Sequence, residues 1–361
     1  MVAKAKEYRW FIELHRLDGE HLTRQPIVPD WETVKQWAEF CSLRRMPDDP
    51  LHLGVQAVQV EPCFDPDLGA PYVLGLRAIT SRAGTMISFV IPLTYFQRFA
   101  EILSVDLVVQ GQLTVGEKFH YMLYAYPVED VVAADPSKPM LSVHPTPQLL
   151  DVTDSSLDDL LSDSLPQGPG QQDLMPVFIH RHVLTETVQQ LRASGQVETG
   201  GLLLGRLHRD KTASELFLEV TAQIPVEHAK QELTRLTFTP DTWAAADRAM
   251  ADRSRGEMYV GWWHTHPVGH WRKEESKPTT GNRDHRRHVD FFSAEDGALH
   301  QTVFPRAYSV AVVLSDIGKE GSDLSVAMFG WHQGILVSRG FHVLGATPWQ
   351  AVSRALAVEG E

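Results

Sequence analysis

The sequence predicts an α/β domain with a mixed sheet in its back half, preceded by a separate α+β domain, and three observations carry this. From Val177 onward, short apolar runs suited to strands alternate with helical patterns, as in a sheet covered by helices. In the front part, strand-like runs gather around two helical patterns. Between the two parts, residues 128–174 change character. Pro136, Pro139, Pro145, Pro147, Pro166 and Pro169 interrupt any long element, and Glu129 to Asp163 holds eight acidic residues against one lysine. At 361 residues the chain suits two domains of ordinary size.

In residues 1–127, Asp30 is placed to cap a helix running to Cys41, with Trp31, Val34, Trp37, Phe40 and Cys41 on its apolar face. Strand-like runs follow at His52–Val60, Tyr72–Ile79 and Met86–Ile91, with Gly84 marking a hairpin. A helix is expected over Leu93–Leu103, then strands near Leu107–Val115 and Phe119–Tyr126. This α+β module has no metal, phosphate or nucleophile signature.

Residues 128–174 read as an acidic, proline-rich linker. Within it, Leu157, Leu160, Leu161 and Leu165 lie at helical spacing among Asp154, Asp158, Asp159 and Asp163. The plain reading is a solvated linker with residual helix. The sharper one is a short motif that docks on a partner or on the chain's own second domain.

In the back domain, Val177–Ile179 is expected as a strand, Thr185–Leu191 as a helix, and Gly201–Gly205 and Leu216–Thr221 as strands. Pro240–Ala251, with Asp241 near its start, is a second helix. Met258–Trp263 is an apolar, aromatic strand that ends at His264-Thr265-His266-Pro267. A helix starting at Ser293 runs to about His300, and Tyr308–Leu314 is a buried strand.

The chemistry gathers at the end of one strand. Alternation puts positions i and i+2 on one face, so His264 and His266 can converge on a single ion. Ser293 fits an N-cap, and Glu295 and Asp296 sit in the first turn, where carboxylates suit the positive end of the helix dipole. Asp296 is thus the candidate third ligand, with Ser293 pointing into the same site. Glu198, ahead of Thr199-Gly200-Gly201, offers a separate carboxylate. Two histidines, an aspartate and a separate glutamate suit catalytic zinc, because three protein ligands leave a fourth position for water whose proton the glutamate can move. Taken singly, paired surface histidines, a solvated glutamate and an ordinary helix start explain each piece. Their joint occurrence on a strand, a strand end and a helix start points to metal.

These stretches resemble the JAMM metalloproteases, also called MPN-plus or JAB domains, whose signature is an upstream glutamate, then His-x-His-Pro, then Ser-x-x-Asp. The resemblance covers Val177 to Leu344. It implies a cytidine-deaminase-like α/β fold over 175–345, followed by a tail at 346–361. It also implies one catalytic zinc on His264, His266 and Asp296. Glu198 would be the general acid/base that takes the water's proton and returns it to the leaving amine, and Ser293 would help stabilise the tetrahedral oxyanion. The implied activity is deubiquitinase-like: an isopeptidase cutting after the C-terminus of ubiquitin or a ubiquitin-like protein. The implied partners are that modifier or its conjugates, with E1-like and E2-like proteins of the same pathway. A single chain with an unfamiliar front module looks like a prokaryotic version.

Residues 267–295, between His266 and Asp296, form a longer interval than is usual in that family. Asp284 and Asp290 fall within it, but neither sits in a Ser-x-x-Asp frame, so Asp296 keeps the assignment. The polar run Trp271 to Asn282 reads as an exposed loop. The whole insertion, 268–292, carries six Lys and Arg, Trp271, and His270, His285 and His288. A substrate-contacting flap is the expectation, ahead of a second zinc site at Asp284-His285-Arg286-Arg287-His288. Two other classes stand beside the isopeptidase. MPN domains lacking the ligands act as scaffolds, and a zinc hydrolase of small-molecule or peptide substrates is the other alternative.

The formal charge of -13 speaks against a nonspecific nucleic-acid binder, which needs clustered Lys and Arg. Met1 to Leu17 has no signal-peptide core, and no stretch reaches the ~18 apolar residues of a membrane span. Only Cys41 and Cys63 are present, so no disulfide framework is expected and a reducing cytoplasm is the simple inference.

Overall fold

The computed structural model describes residues 7–45, 52–53, 58–82, 85–128, 148–170, 174–194, 197–226, 238–266, 292–316 and 324–345. It opens with a hairpin that the sequence reading passed over. Trp10, Ile12 and Leu14 alternate into the core from β1 (Tyr8–Arg16), and β2 (His21–Ile27) pairs back antiparallel. The signal was present in Asp18-Gly19. Gly19 takes φ +91° and donates its N–H to the Arg16 carbonyl at 3.0 Å, a conformation glycine adopts without steric cost.

Helix α1 (Glu32–Arg45) follows, with Asp30 Oδ1 accepting from the Glu32 N–H at 3.0 Å. It runs past the expected end at Cys41. Then come β3 (His52–Leu53), β4 (Gln59–Asp65), β5 (Gly69–Arg82), β6 (Thr85–Ile91), a 3-10 turn (Leu93–Phe96), α2 (Gln97–Val109), β7 (Phe119–Pro127) and β8 (Gln148–Leu149). β5 and β6 pair as far as Arg82↔Thr85, while Gly84 itself lies outside the described residues. The expected strand at Leu107–Val115 is corrected: α2 continues to Val109. Phe96, Ala100 and Leu107 recur at helical spacing and are buried together, and this outweighs the β-branched Val105, Val108 and Val109. The first compact unit is a six-stranded sheet in the order β2-β1-β7-β5-β4 with β6 beside β5, its core formed by Trp10, Ile12, Leu14, Leu76 and Ile91 against Phe96, Ala100 and Leu107.

The second unit begins inside the expected linker. β9 (Val152–Asp154), α3 (Leu157–Ser162) and β10 (Ser164–Gln167) are ordered elements of it, so the linker reading is corrected for residues 148–170. Residues 129–147 lie outside the described residues. β9 runs parallel to β12 and β10 antiparallel to β18, so the segment is held by backbone pairing that its charged composition did not reveal. The remaining elements are β11 (Val177–His180), α4 (Arg181–Ser194), β12 (Gly200–Asp210), β13 (Glu215–Pro225), α5 (Pro240–Arg253), β14 (Met258–His266), α6 (Ala294–Val303), β15 (Val310–Asp316), β16 (Leu324–His332), β17 (Ile335–Arg339) and β18 (Phe341–Leu344). They form a ten-stranded mixed sheet, β10-β18-β11-β13-β12-β14-β15-β16-β17, with β9 added beside β12. The expected α/β character of this part is present. The insertion at 268–292, except Phe292, and the tail at 346–361 lie outside the described residues.

This sheet is buried on both faces. Leu202, Trp262, Ala311, Val313 and Phe329 pack with Ala246 of α5 and with Phe304, while their neighbours Leu203, Trp263, Val312 and Met328 are equally buried on the other side. Close strand approach depends on two glycines. A Cβ at Gly261 would lie 1.8 Å from the Val310 carbonyl oxygen, and one at Gly201 would lie 2.3 Å from that of Ile224. β14 is therefore an interior strand, and the residues at its end inherit a dry surrounding.

Candidate metal centre

β14 ends on His264 and His266, both 2% exposed, with Thr265 between them fully buried. Trp262, His264 and His266 share one face by alternation. The two imidazoles face each other with Nε2 atoms 3.0 Å apart. Asp296 comes from α6, where it is the third residue. Ser293 caps that helix, its Oγ accepting from the Asp296 N–H at 3.0 Å, while Asp296 Oδ2 accepts from the Ser293 N–H at 2.9 Å. This capping box turns the carboxylate toward β14, leaving Oδ2 3.4 Å from His264 Nε2. One donor atom from each of His264, His266 and Asp296 fits within a 4.8 Å span. Asp284 and Asp290 lie outside the described residues.

Glu198 stands two residues ahead of β12 and is 8% exposed. Burial lifts its carboxyl to about 7; His264 opposes the rise and Asp296 adds to it, so all three groups share one electrostatic neighbourhood. Thr265 ties down the next residue, Thr199. Its side chain faces away from the two histidines and its Oγ1 accepts from the Thr199 N–H at 3.0 Å, while the Thr265 N–H donates to the Thr199 carbonyl at 2.9 Å. Thr265 went unremarked in the sequence because only its neighbours were read as functional. The same alternation that paired the histidines already placed it on the opposite face.

Trp262 was also passed over. Its indole stacks on His264 with ring centroids 4.5 Å apart and planes 14° apart. Its Nε1 donates to His300 Nδ1 at 3.0 Å, and His300 is fully buried. Burial pushes His300 down to about 3, so it stays neutral and can accept that bond. The ring plane of His264 is thereby set by an anchored neighbour, as outer groups set metal-ligating histidines.

The residues fit a zinc ion. Zinc holds nitrogen and oxygen ligands at about 2 Å in tetrahedral geometry, which separates ligand atoms by roughly 3.3 Å, close to the 3.0 and 3.4 Å seen here. Two of the three donors, His266 and Asp296, are held in the forms a metal takes. Burial, then the charge of His264, takes His266 down to about 3 against the pull of Asp296. Burial would raise Asp296, yet bonding and charge from His264 with donation from Ser293 bring it to about 2. His264 Nδ1 is buried with no hydrogen-bond partner.

One comparison bears on this part of the chain. Residues 172–279 match the family model described as JAB1/Mov34/MPN/PAD-1 ubiquitin protease. This stretch is a JAB/MPN domain. The match contains Glu198, His264 and His266 and stops short of Ser293 and Asp296, on the far side of the long interval. No curated protein matches the chain. Among solved structures, the solution structure of protein DSY2949 from Desulfitobacterium hafniense is similar at 16% identity, covering 48% of this chain and 96% of that one with a TM-score of 0.33. Among the described residues, no helix of either unit is long and apolar enough to cross a membrane.

Proposed function

We propose that the JAB/MPN domain is a zinc-dependent isopeptidase or peptidase that hydrolyses the bond after the C-terminus of a ubiquitin-like protein. The observation that carries this is the gathering of His264, His266 and Asp296 within 4.8 Å beside the buried Glu198. In this reading His264, His266 and Asp296 hold the ion. Bound there, zinc supplies Lewis-acid polarisation of a carbonyl and acidifies water.

The chain's own residues do the rest. Glu198, with a carboxyl lifted toward neutral pH by burial, takes a proton from water and delivers it to the departing amine, as a general acid/base needs. Thr265 keeps the segment behind Glu198 in register with the strand that bears the ligands. Ser293 Oγ is an acceptor in the helix cap, which leaves its hydroxyl proton for a developing oxyanion. Trp262 and Phe292 wall the histidines from one side, with the Phe292 and His264 centroids 6.0 Å apart.

The test is direct. Zinc-loaded full-length chain, incubated with a panel of ubiquitin-like proteins fused through their C-termini to a reporter, is expected to release the reporter and to stop doing so with a chelator. Stoichiometric zinc with no cleavage of any protein fusion, but turnover of short peptides, would move the substrate class to peptides.

A further inference from the structure

Three imidazoles and a carboxylate stand together on three adjacent strands of the first unit, far in sequence from the JAB/MPN motif. β1 lies between β2 and β7, and the register sets His15 directly opposite His21 on one side and His120 on the other. A bulge between Leu14 and His15 creates the first of these pairings. Glu13, two residues earlier on β1, shares the face of His15 and lies opposite to the core-facing Ile12 and Leu14. Its Oε1 is 3.2 Å from His21 Nε2 and its Oε2 is 3.4 Å from His15 Nε2. The His15 ring centroid is 5.4 Å from that of His21 and 5.3 Å from that of His120.

An ordinary polar patch does not account for this arrangement. His15 Nε2 is closed off from solvent and makes no hydrogen bond, since the Glu13 oxygen at 3.4 Å lies beyond a good one. Arg24, the register partner of Glu13 on β2, lies over the rings of Phe11, Tyr124 and Tyr126 and donates to the Tyr126 hydroxyl, making no ion pair with Glu13. The Tyr124 hydroxyl donates to Glu13 Oε2 and so orients the carboxylate, as outer groups do around metal ligands.

We propose that His15, His21, His120 and Glu13 form a metal site of the first unit, for a divalent transition ion that favours imidazole, such as zinc, nickel or copper. Histidine nitrogens with one carboxylate are the ligand set such ions take. Two imidazoles on one zinc, each nitrogen about 2 Å from it, place their ring centres about 5 Å apart, and the crossed rings of His15 and His21 stand 5.4 Å apart. Closing the site asks His120 to turn out of its stack on His15 about χ2, a broad torsion for histidine. The donor approaches already in place are those of Glu13 to His21 at 3.2 Å and to His15 at 3.4 Å, and His120 joins on that turn.

The experiment is a Zn2+ titration of the metal-free, full-length chain against a chromophoric competitor, with Co2+ absorption as a second readout. Wild type is expected to bind one equivalent more than the His21→Gln/His120→Gln variant, and His266→Ala is expected to keep the equivalent that this variant loses. Equal stoichiometry and affinity in wild type and the double variant overturn the site, whatever happens at His266. Both substituted rings reach solvent, so the fold is expected to survive by circular dichroism. Should it not, His21→Gln alone decides: weakening of this equivalent by about tenfold or more supports the site, and unchanged binding overturns it.

Discussion

Two segments of the second unit join the same sheet by opposite means. β14 is an interior strand: Trp262, Trp263, His264, Thr265 and His266 are all essentially buried, and its apolar run announces it. The segment from Val152 to Gln167 is acidic and largely exposed, yet it contributes two strands. β14 pairs with β12 only as far as Met258↔Gly205, and β9 takes over the same edge of β12 at Leu207 to Arg209. Leu157 and Leu160 of α3 pack on Phe178, Phe217 and Leu344, while Asp154 pairs with Arg209 at 2.8 Å and Lys211 at 2.6 Å. Side-chain pattern reports burial, whereas strand pairing is a backbone property. A charged segment can therefore be sheet as readily as linker when a free strand edge and a few apolar anchors await it.

The comparison breaks most visibly at β14. His264→Ala or His266→Ala is expected to remove the zinc of the proposed centre and abolish cleavage, because an incomplete ligand set leaves the ion two protein donors. Elemental analysis with the first unit's histidines intact reads it; unchanged metal in both variants, after allowing for the site at His15, would sink the centre. Glu198→Gln is expected to keep zinc and fold and to lower kcat about 100- to 10,000-fold, since the amide cannot accept a proton. Activity within a few fold of wild type would take Glu198 out of the chemistry.

How much of this was legible in the sequence follows the same division. The positions of His264, His266, Asp296, Ser293 and Glu198 were readable because each sits where an element's own period or cap places it: a strand end, a helix cap and first turn, a place two residues ahead of a strand. Thr265 and Trp262 were not, since their roles depend on which neighbouring strand they meet. In the first unit, the β1–β2 hairpin carries both its alternation and an Asp-Gly turn in the sequence, but its apolar positions are single residues between charged ones and form no continuous run. The linker reading failed because prolines and aspartates argue against a buried element but say nothing about an edge strand. Pro166 sits within β10, whose only sheet neighbour among the described residues is β18, a position where a missing N–H is tolerated.

A subtler break lies behind the ligands. Thr265→Val keeps the shape and the backbone bond to Thr199 but removes the acceptor for the Thr199 N–H. Hydrogen exchange at that amide is expected to accelerate, metal content to stay, and kcat to fall about ten- to a hundredfold as Glu198 shifts, with KM little changed. Thr265→Ser, which restores the hydroxyl, is expected to recover both readouts. If Thr265→Val and Thr265→Ser behave alike, Thr265 is packing and nothing more.

The acidic segment offers the complementary test. Leu157→Ala with Leu160→Ala strips two half-buried side chains from Phe178, Phe217 and Leu344, so the pair is expected to lower stability by about 1–3 kcal/mol in total. Zinc content and the activity of the remaining folded protein should not change. A denaturation midpoint equal to wild type would return α3 to the status of a linker helix.

The smallest expected effect concerns a carboxylate beneath that segment. Glu219 of β13 lines an open groove together with Asp159, Leu160, Asp163 and His180. His180 Nε2 lies 2.7 Å from its Oε1 and His208 Nε2 2.9 Å from its Oε2, and these two bonds hold the carboxyl well below the usual range, against a smaller upward push from burial. A folded-state pKa below the unfolded one, about 4.3, gives stability that is present above that value and is lost as pH falls through the folded value. Wild type should therefore exceed Glu219→Gln in Tm by a margin that is steady near pH 5 and shrinks steadily from there toward pH 3. The groove is partly open to solvent, so the margin is expected to be modest. A margin that does not change between pH 5 and 3 would mean that the two histidines hold Glu219 by shape and not by charge.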